Sequence, residues 1–362
     1  MTMETPSHPK DNFPLSDLEA IRSFAAEAES SGKLHPEQLA AIYKSKLFKM
    51  FVPQQLGGLG FTLPEVLKTE EALAWADGST AWVVTLCSGA GWFVGFLPNK
   101  LSEEIFANDH ACLAGSGAAT GTAEETHDGY IINGEWSYAS GAPVATMFTA
   151  NCVLTKNGIA RTDDDGKPLI RSFIFYASEV EVVRNWRAMG MIATESHGFR
   201  IANLLVPADR AFIIDAKHTT IDKPVYKFPF LQLAETTLAV NYSGLALRFI
   251  DLCEKIIKSR APGNRAFNAL KDTAQTIDEV RGRFYATAEK AWSHCENNQQ
   301  IPSEILDRLS ETSFQLYKTA LVSVHILYPN AGLSAADKTT EINRVWRNIH
   351  TASQHSLFAS RT

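Results

Sequence analysis

Up to about residue 110, apolar positions recur at helical spacing and are interrupted by glycine and proline. Ser16 and Glu19 form a capping-box pattern that opens a helix over LEAIRSFAAEAESSG, closed by Gly32. HPEQLAAIYKSKLFKMF repeats the pattern and ends at Val52-Pro53, before a loop carrying Gly57, Gly58 and Gly60. PEVLKTEEALAWAD and STAWVVTLCSGAGWFVGFL read as two more helices, the second apolar nearly all round and so expected inside a multi-helix core. From about Ala111 to Ile214 the texture changes to short β-branched and aromatic runs between turn signals, as in HDGYIINGEWSYASG, RSFIFYA and FRIANLLVP. Asn133-Gly134 predicts a tight turn, and DDDGKP a hairpin tip. These strands follow one another without helices between them, which predicts an antiparallel barrel or sandwich. The helical period returns from Phe230, with Leu245, Phe249, Leu252 and Ile256 on one face. Further helices are expected around 266–295, 302–328 and 337–358, with Pro302 at a start and Pro329, Asn330 and Gly332 at a break. The order predicts a mainly α, α+β chain in three regions: 1–110, 111–228 and 229–362.

Charge and cysteine usage narrow the functional classes. The net charge of -6 argues against nucleic acid or an anionic membrane as a partner. No run of about 18 apolar residues is present, so no membrane-spanning helix is expected. The N-terminal MTMETPSHPKDNFPLSD has acids and prolines and no apolar signal core, which points to a cytoplasmic protein. The five cysteines are scattered and form no C-x-x-C pair, so they read as reduced, packed thiols, with no metal site expected.

Several phrases, in this order, resemble the acyl-CoA dehydrogenase superfamily. FVPQQLGGLGF followed by EEALAWADGSTAW looks like that family's first helical domain. LAGSGAATGTAEETHDGYIINGEWSYASG looks like the start of its β-domain, and NWRAMGMIATESHGFRIANLLVPADRAF like its end. The resemblance covers nearly the whole chain and implies an N-terminal helical domain, a central antiparallel β-barrel or sandwich, and a C-terminal four-helix bundle. Two phrases are similar to the flavin-dependent monooxygenase branch: GEWSYASG, like its G-x-W-x-F-x-S-G strand, and RVWRNIHTASQH, like its R-x-W-R-D-x-x-x-x-x-x-H helix. That branch includes dibenzothiophene monooxygenase and the oxygenase components of two-component hydroxylases. It implies FAD or FMN as cofactor, a small-molecule substrate, a separate flavin reductase and a homo-oligomer, tetramer or dimer.

A flavin needs polar donors at its ring edge and apolar or aromatic surface along its faces. Strand alternation sends Trp136, Tyr138 and Ser140 to one face, and Ser137 and Ala139 to the other. The resemblance implies that Ser140 bonds near flavin N5 while Tyr138 packs on the ring; otherwise this is a β-edge with buried aromatics and a turn serine. The small-residue loop with Gly115, Ser116 and Gly117 either lets backbone approach the cofactor or is a flexible turn. It does not follow the G-x-G-x-x-G fingerprint. Thr194 and Ser196 are candidates to line the same cleft, with His197 a loop histidine. Arg347, Thr351 and His355 recur every four residues and share a helix face, with His350 about 140° away. The resemblance implies that His355 reaches the substrate side of the flavin, where it either deprotonates a phenol-like substrate or hydrogen-bonds there. Its plain alternative is a histidine capping a helix C-terminus. Arg344 and Arg347 are candidates for a flavin phosphate from a neighbouring subunit, or else pair with Glu341.

The sequence also departs from the family pattern. The C-terminal region shows no glutamate where a dehydrogenase's common base falls, leaving Glu235 as the candidate base. Cys87 and Ser88 stand where several hydroxylases carry a histidine, Pro143-Val144 replaces another, and Asn348 stands for the aspartate after the W-R pair. The leading expectation is therefore a monooxygenase-type flavoenzyme. An acyl-CoA dehydrogenase and a non-catalytic binding or assembly protein are the alternatives.

Overall fold

The computed structural model describes residues 6–260 and 264–361. Met1–Thr5, the start of the stretch read as lacking a signal core, lie outside them, as do residues 261–263 and Thr362. Helices α1 (Leu15–Ser23), α2 (Ala25–Ser31), α3 (Pro36–Lys44), α4 (Leu63–Ala76), α5 (Gly78–Gly91) and α6 (Asn99–Phe106) come first. Eight strands follow: β1 (Leu113–Thr126), β2 (Gly129–Ala139), β3 (Met147–Lys156), β4 (Ile159–Ala160), β5 (Ile170–Tyr176), β6 (Glu181–Val183), β7 (His197–Val206) and β8 (Ala211–Phe212). The chain then returns to helix in α7 (Pro224–Lys227), α8 (Phe230–Arg260), α9 (Asn264–Glu296), α10 (Ser303–Ala331), α11 (Leu333–Ala336), α12 (Glu341–Ala352) and α13 (Ser356–Ala359). This is a mainly α, α+β architecture with a strand-rich middle.

Capping differs from expectation at the first helix. α1 starts after Pro14 without a side-chain cap, and Ser16 lies inside it. The capping boxes belong instead to His35 with Gln38 at α3 and Thr62 with Glu65 at α4. The long α10 also runs through Pro329 and stops at Gly332, whose φ of +59° ends it. Proline so near the end removes one ladder bond without forcing an earlier stop.

One hydrophobic core spans both helical regions, uniting Leu67 and Val84 with Leu245, Phe284 and Leu316. The segment Gly78–Phe96 has the length and composition of a membrane span, yet it is 89% buried inside this core. The five cysteines are buried and unpaired. A second core fills the strand region around Trp136, Phe148, Phe173, Phe175 and Phe199.

The sheet order is β6-β7-β2-β1-β3-β5-β8, with β4 paired to β3. β1 and β3 run parallel and the other pairs antiparallel. The parallel pair arises because β2 turns back along one edge of β1, and β3 returns along the other. Asn133-Gly134 is not a turn: it lies in the middle of β2, and the chain reverses at His127-Asp128. Glycine is needed there for space. A Cβ on Gly134 would meet the Trp136 ring at 2.6 Å, and one on Gly121 would meet it at 2.1 Å. The two glycines make the slot in which Trp136 lies buried, stacked on Phe199 and donating its indole N–H to the Asn151 carbonyl at 3.0 Å.

Candidate active site

The end of β2 does not keep a strand's simple alternation. The β2–β7 register shifts between Trp136 and Ala139, and Tyr138 has φ +66°. Such a bulge re-aims a side chain. Trp136 therefore points into the β-core, whereas Tyr138 is turned outward, 73% exposed, with its ring edge-on to Trp186 at 6.2 Å. Trp136 supports this region from within rather than facing a cleft.

Ser140 follows and is buried. Its hydroxyl lies 2.8 Å from that of Ser196, which lies 2.7 Å from that of Thr194. Thr194 donates to the Met191 carbonyl at 2.8 Å, and the Gly141 N–H donates to the Thr194 carbonyl at 2.9 Å. Three hydroxyls from two distant segments thus form one buried chain. The Met191–Glu195 turn presents it through two left-handed residues, Met191 at φ +52° and Glu195 at φ +45°. For a residue with a Cβ this region costs on the order of 1 kcal/mol. The turn is held from behind by α12: Asn348 Oδ1 accepts the Met191 N–H at 2.7 Å, and Gly190 packs so tightly that a Cβ would sit 2.1 Å from the Arg347 carbonyl. Asn348 therefore has a defined structural task where the family pattern carries aspartate.

Beside this chain lies a cavity of about 260 Å³. Val83, Val144 and Leu34 form apolar wall, Thr194 supplies a hydroxyl, and Lys33, Arg184 and Glu195 supply charge. Residues Val83 and Cys87 of α5 also back Gly141, and the Cys87 thiol donates to the Ser140 carbonyl at 3.5 Å. His197 begins β7 and is buried; its Nδ1 accepts the Trp186 N–H at 3.0 Å, and burial pushes its pKa down. It is a strand residue that fixes Trp186, not a free loop histidine.

The small-residue run is strand, not loop. Gly115 and Ser116 pair with Thr149 and Ala150 in β1–β3, and the register slips between Ser116 and Gly121. Gly117 lies in that irregular stretch, exposed, its carbonyl accepting from the Asn151 side chain at 2.9 Å.

The C-terminal candidates separate. α12 ends at Ala352, so His355 does not extend the face that carries Arg347. His355 instead caps the N-terminus of α13, with Nδ1 accepting the Leu357 N–H at 3.3 Å, and its ring packs edge-on against Trp82 at 5.9 Å. Burial lowers its pKa. Tyr242 and Tyr317 donate their hydroxyls to the Ala352 and Ser353 carbonyls and so dock this terminus on α8 and α10. Arg347 is fully used within the chain: it grips Glu29 with both terminal nitrogens, at 2.6 and 2.9 Å, and donates to Asn343 and the Met189 carbonyl. Arg344 is buried and makes no ion pair or side-chain hydrogen bond among the described residues, while Glu341 pairs with Arg248. Glu235 is not poised as a base. It is buried between Arg361, at 3.1 Å, and the Ser310 hydroxyl, and it anchors the C-terminus.

The profile described as acyl-CoA dehydrogenase, C-terminal domain, matches residues 233–360. Along most of its length the chain is similar to the oxygenase subunit HsaA of a flavin-dependent monooxygenase from Mycobacterium tuberculosis, 24% identical over 94% of this chain and 89% of that protein. It is likewise 24% identical to the oxygenase component of p-hydroxyphenylacetate 3-hydroxylase from Acinetobacter baumannii, over 94% of this chain and 83% of the other. This chain belongs to the acyl-CoA dehydrogenase superfamily, within its flavin-dependent monooxygenase branch. The fold agrees: XiaF from Streptomyces, solved with FADH2 and glycerol, superposes with a TM-score of 0.85 at 20% identity, over 95% of this chain and 91% of that one.

The residues fit a flavin. An exposed aromatic ring beside buried hydroxyls offers a face for a flat heterocycle and donors for its polar edge, and the unpartnered guanidinium of Arg344 suits an anionic group. Trp186 and Glu195 were not picked out by sequence reasoning. Trp186 was visible only as part of a family phrase, and nothing in the local pattern marks Glu195.

Proposed function

We propose that this chain is the oxygenase component of a two-component flavin monooxygenase, acting in the cytoplasm as a homo-oligomer on a small organic molecule. A bound reduced FAD or FMN, supplied by a separate flavin reductase, would provide the electrons for inserting one oxygen atom of O2 into the substrate and reducing the other to water. The chain's own residues bind, orient and exclude water. Tyr138 offers its ring to the isoalloxazine face, Ser140 meets the ring's polar edge, and Ser196 and Thr194 fix which way the Ser140 hydroxyl points. His355 lies on the α5 side of the cleft, against Trp82. Arg344 would receive a phosphate.

The observation that carries this reading is the Ser140–Ser196–Thr194 chain beside the outward-turned Tyr138. The engagement of Glu235 with Arg361 and Ser310 supports it further, because a dehydrogenase base must be free. Ser140→Ala removes one donor from a buried hydroxyl chain, and the expected effect is a roughly 3- to 10-fold weaker flavin Kd with little change in Tm. A flavin titration followed by fluorescence reads this, and an unchanged Kd rejects the assignment. Mixing the reduced holoprotein with oxygen should give an absorbance transient that free flavin lacks. Anaerobic bleaching of bound oxidised flavin by an acyl-CoA would instead establish a dehydrogenase.

A further inference from the structure

Glu195 occupies a backbone position that favours glycine. Its φ of +45° and ψ of +45° lie in the left-handed region, yet the side chain there is a long carboxylate that lines the cavity. That carboxylate accepts no hydrogen bond among the described residues. The Arg184 Nη1 and the His197 Nε2 approach only to 3.8 and 3.9 Å, beyond hydrogen-bond length. The side chain is only 15% exposed, and burial raises its pKa, as expected for a carboxylate short of donors. A strained, half-buried acceptor facing an otherwise mostly apolar cavity lacks one partner: a donor brought by a ligand.

Charge decides what kind of donor. Lys33 and Arg184 line the same cavity, so two cations already face one carboxylate. A ligand ammonium would meet both cations, and a ligand carboxylate would meet Glu195. A neutral O–H or N–H meets neither penalty. Size agrees: a cavity of about 150 Å³ holds benzene, so about 260 Å³ accommodates a substituted ring.

We propose that this cavity is a substrate subsite in which Glu195 accepts a hydrogen bond from a neutral O–H or N–H group of a small, mainly apolar molecule. Calling that molecule a substrate rests on the monooxygenase reading; the subsite itself does not. Glu195 is then the residue that sets specificity for a donor-bearing ligand over its capped analogue, because the analogue leaves the carboxylate without a partner.

The test is calorimetric binding to the full chain of four probes: 4-methylphenol, its methyl ether 4-methylanisole, benzylamine and benzoate. The wild type should bind 4-methylphenol at least tenfold more tightly than each of the other three. Glu195→Gly should erase the preference over the ether while keeping an equal or higher Tm, since glycine relieves the left-handed strain. Glu195→Gln, which retains an acceptor oxygen, should keep part of that preference, and it serves as the test should the glycine variant not fold. No preference in the wild type, or a preference that survives Glu195→Gly, overturns the proposal. So does tightest binding of benzylamine or benzoate, which would mean that charge selects the ligand. A flavin titration on the same samples separates the two readings: phenol selectivity without flavin binding removes the monooxygenase and leaves the subsite, and flavin binding without selectivity does the reverse.

Discussion

His355→Asn is expected to lower turnover about 10²–10⁴-fold while leaving the flavin Kd and the Tm nearly unchanged. Asparagine is among the best N-cap residues, so it keeps the cap at α13 that His355 makes through Nδ1. What it removes is the imidazole. With Nδ1 accepting the Leu357 N–H, the neutral ring carries its proton on Nε2, which has no hydrogen-bond partner among the described residues. This geometry makes His355 a hydrogen-bond donor toward the cleft rather than a base. Burial reinforces the neutral form by pushing the pKa below the usual 6.5. The sign of the stability effect follows. A depressed folded pKa contributes stability that is present above pH 6.5 and is lost as pH falls through the folded value. His355→Asn should therefore flatten the acid side of the stability profile as well. Single-turnover rates, flavin titrations and thermal melts across pH 5–8 check all three expectations. Equal single-turnover rates in the two proteins would leave His355 as a cap and nothing more.

The sequence made the fold legible because helical and strand periodicities are long-range averages that survive local errors. Ser140, Thr194 and Ser196 were legible as separate phrases, and the structure shows why they matter together: 56 residues apart in the chain, Ser140 and Ser196 share a hydrogen bond. What was misread depends on single backbone angles. Alternation placed Trp136 and Tyr138 on one face, but the register shift and the positive φ at Tyr138 separate them by nearly the full range of exposure. Asn133-Gly134 mimicked a turn because the glycine serves the Trp136 ring rather than the backbone. His355 was carried onto the Arg347 face because no glycine or proline marks the end of α12 at Ala352. Glu195 went unseen because its meaning lies in a left-handed backbone that composition does not reveal.

Two adjacent glutamates on α4 should respond oppositely to the same substitution, and Glu71→Gln should be the more damaging. Glu71 is fully buried and accepts from Arg281 Nε and Nη2, both at 2.9 Å, from the Tyr285 hydroxyl at 2.9 Å, and from Ser243. Burial pulls the Arg281 pKa down, but the Glu71 charge outweighs this and holds it above its ordinary value. Removing one charge of such a pair strands the other, which costs about 3–5 kcal/mol. Glu70 is equally buried, but it meets only the Ser88 hydroxyl, at 3.4 Å, and the Thr85 side chain, and its Oε2 has no partner. Burial raises its pKa well above 4.5, so the folded chain holds it neutral. A raised carboxyl pKa gives stability that is full below 4.5 and is lost as pH rises through the folded value. Glutamine mimics the neutral acid without that loss. Glu70→Gln should match the wild type near pH 4.5 and be the more stable protein at pH 8, where Glu71→Gln shows its full deficit. Urea unfolding at the two pH values reads both. A Glu70→Gln protein as unstable at pH 8 as Glu71→Gln would show that Glu70 is charged and paired after all. The wall between these carboxylates and the cavity is α5, which offers Ser88 to Glu70 on one face and Val83 and Cys87 to the Ser140 region on another. A neutral Glu70 keeps uncompensated charge away from the back of that helix, so the only half-buried carboxylate lining the cavity is Glu195.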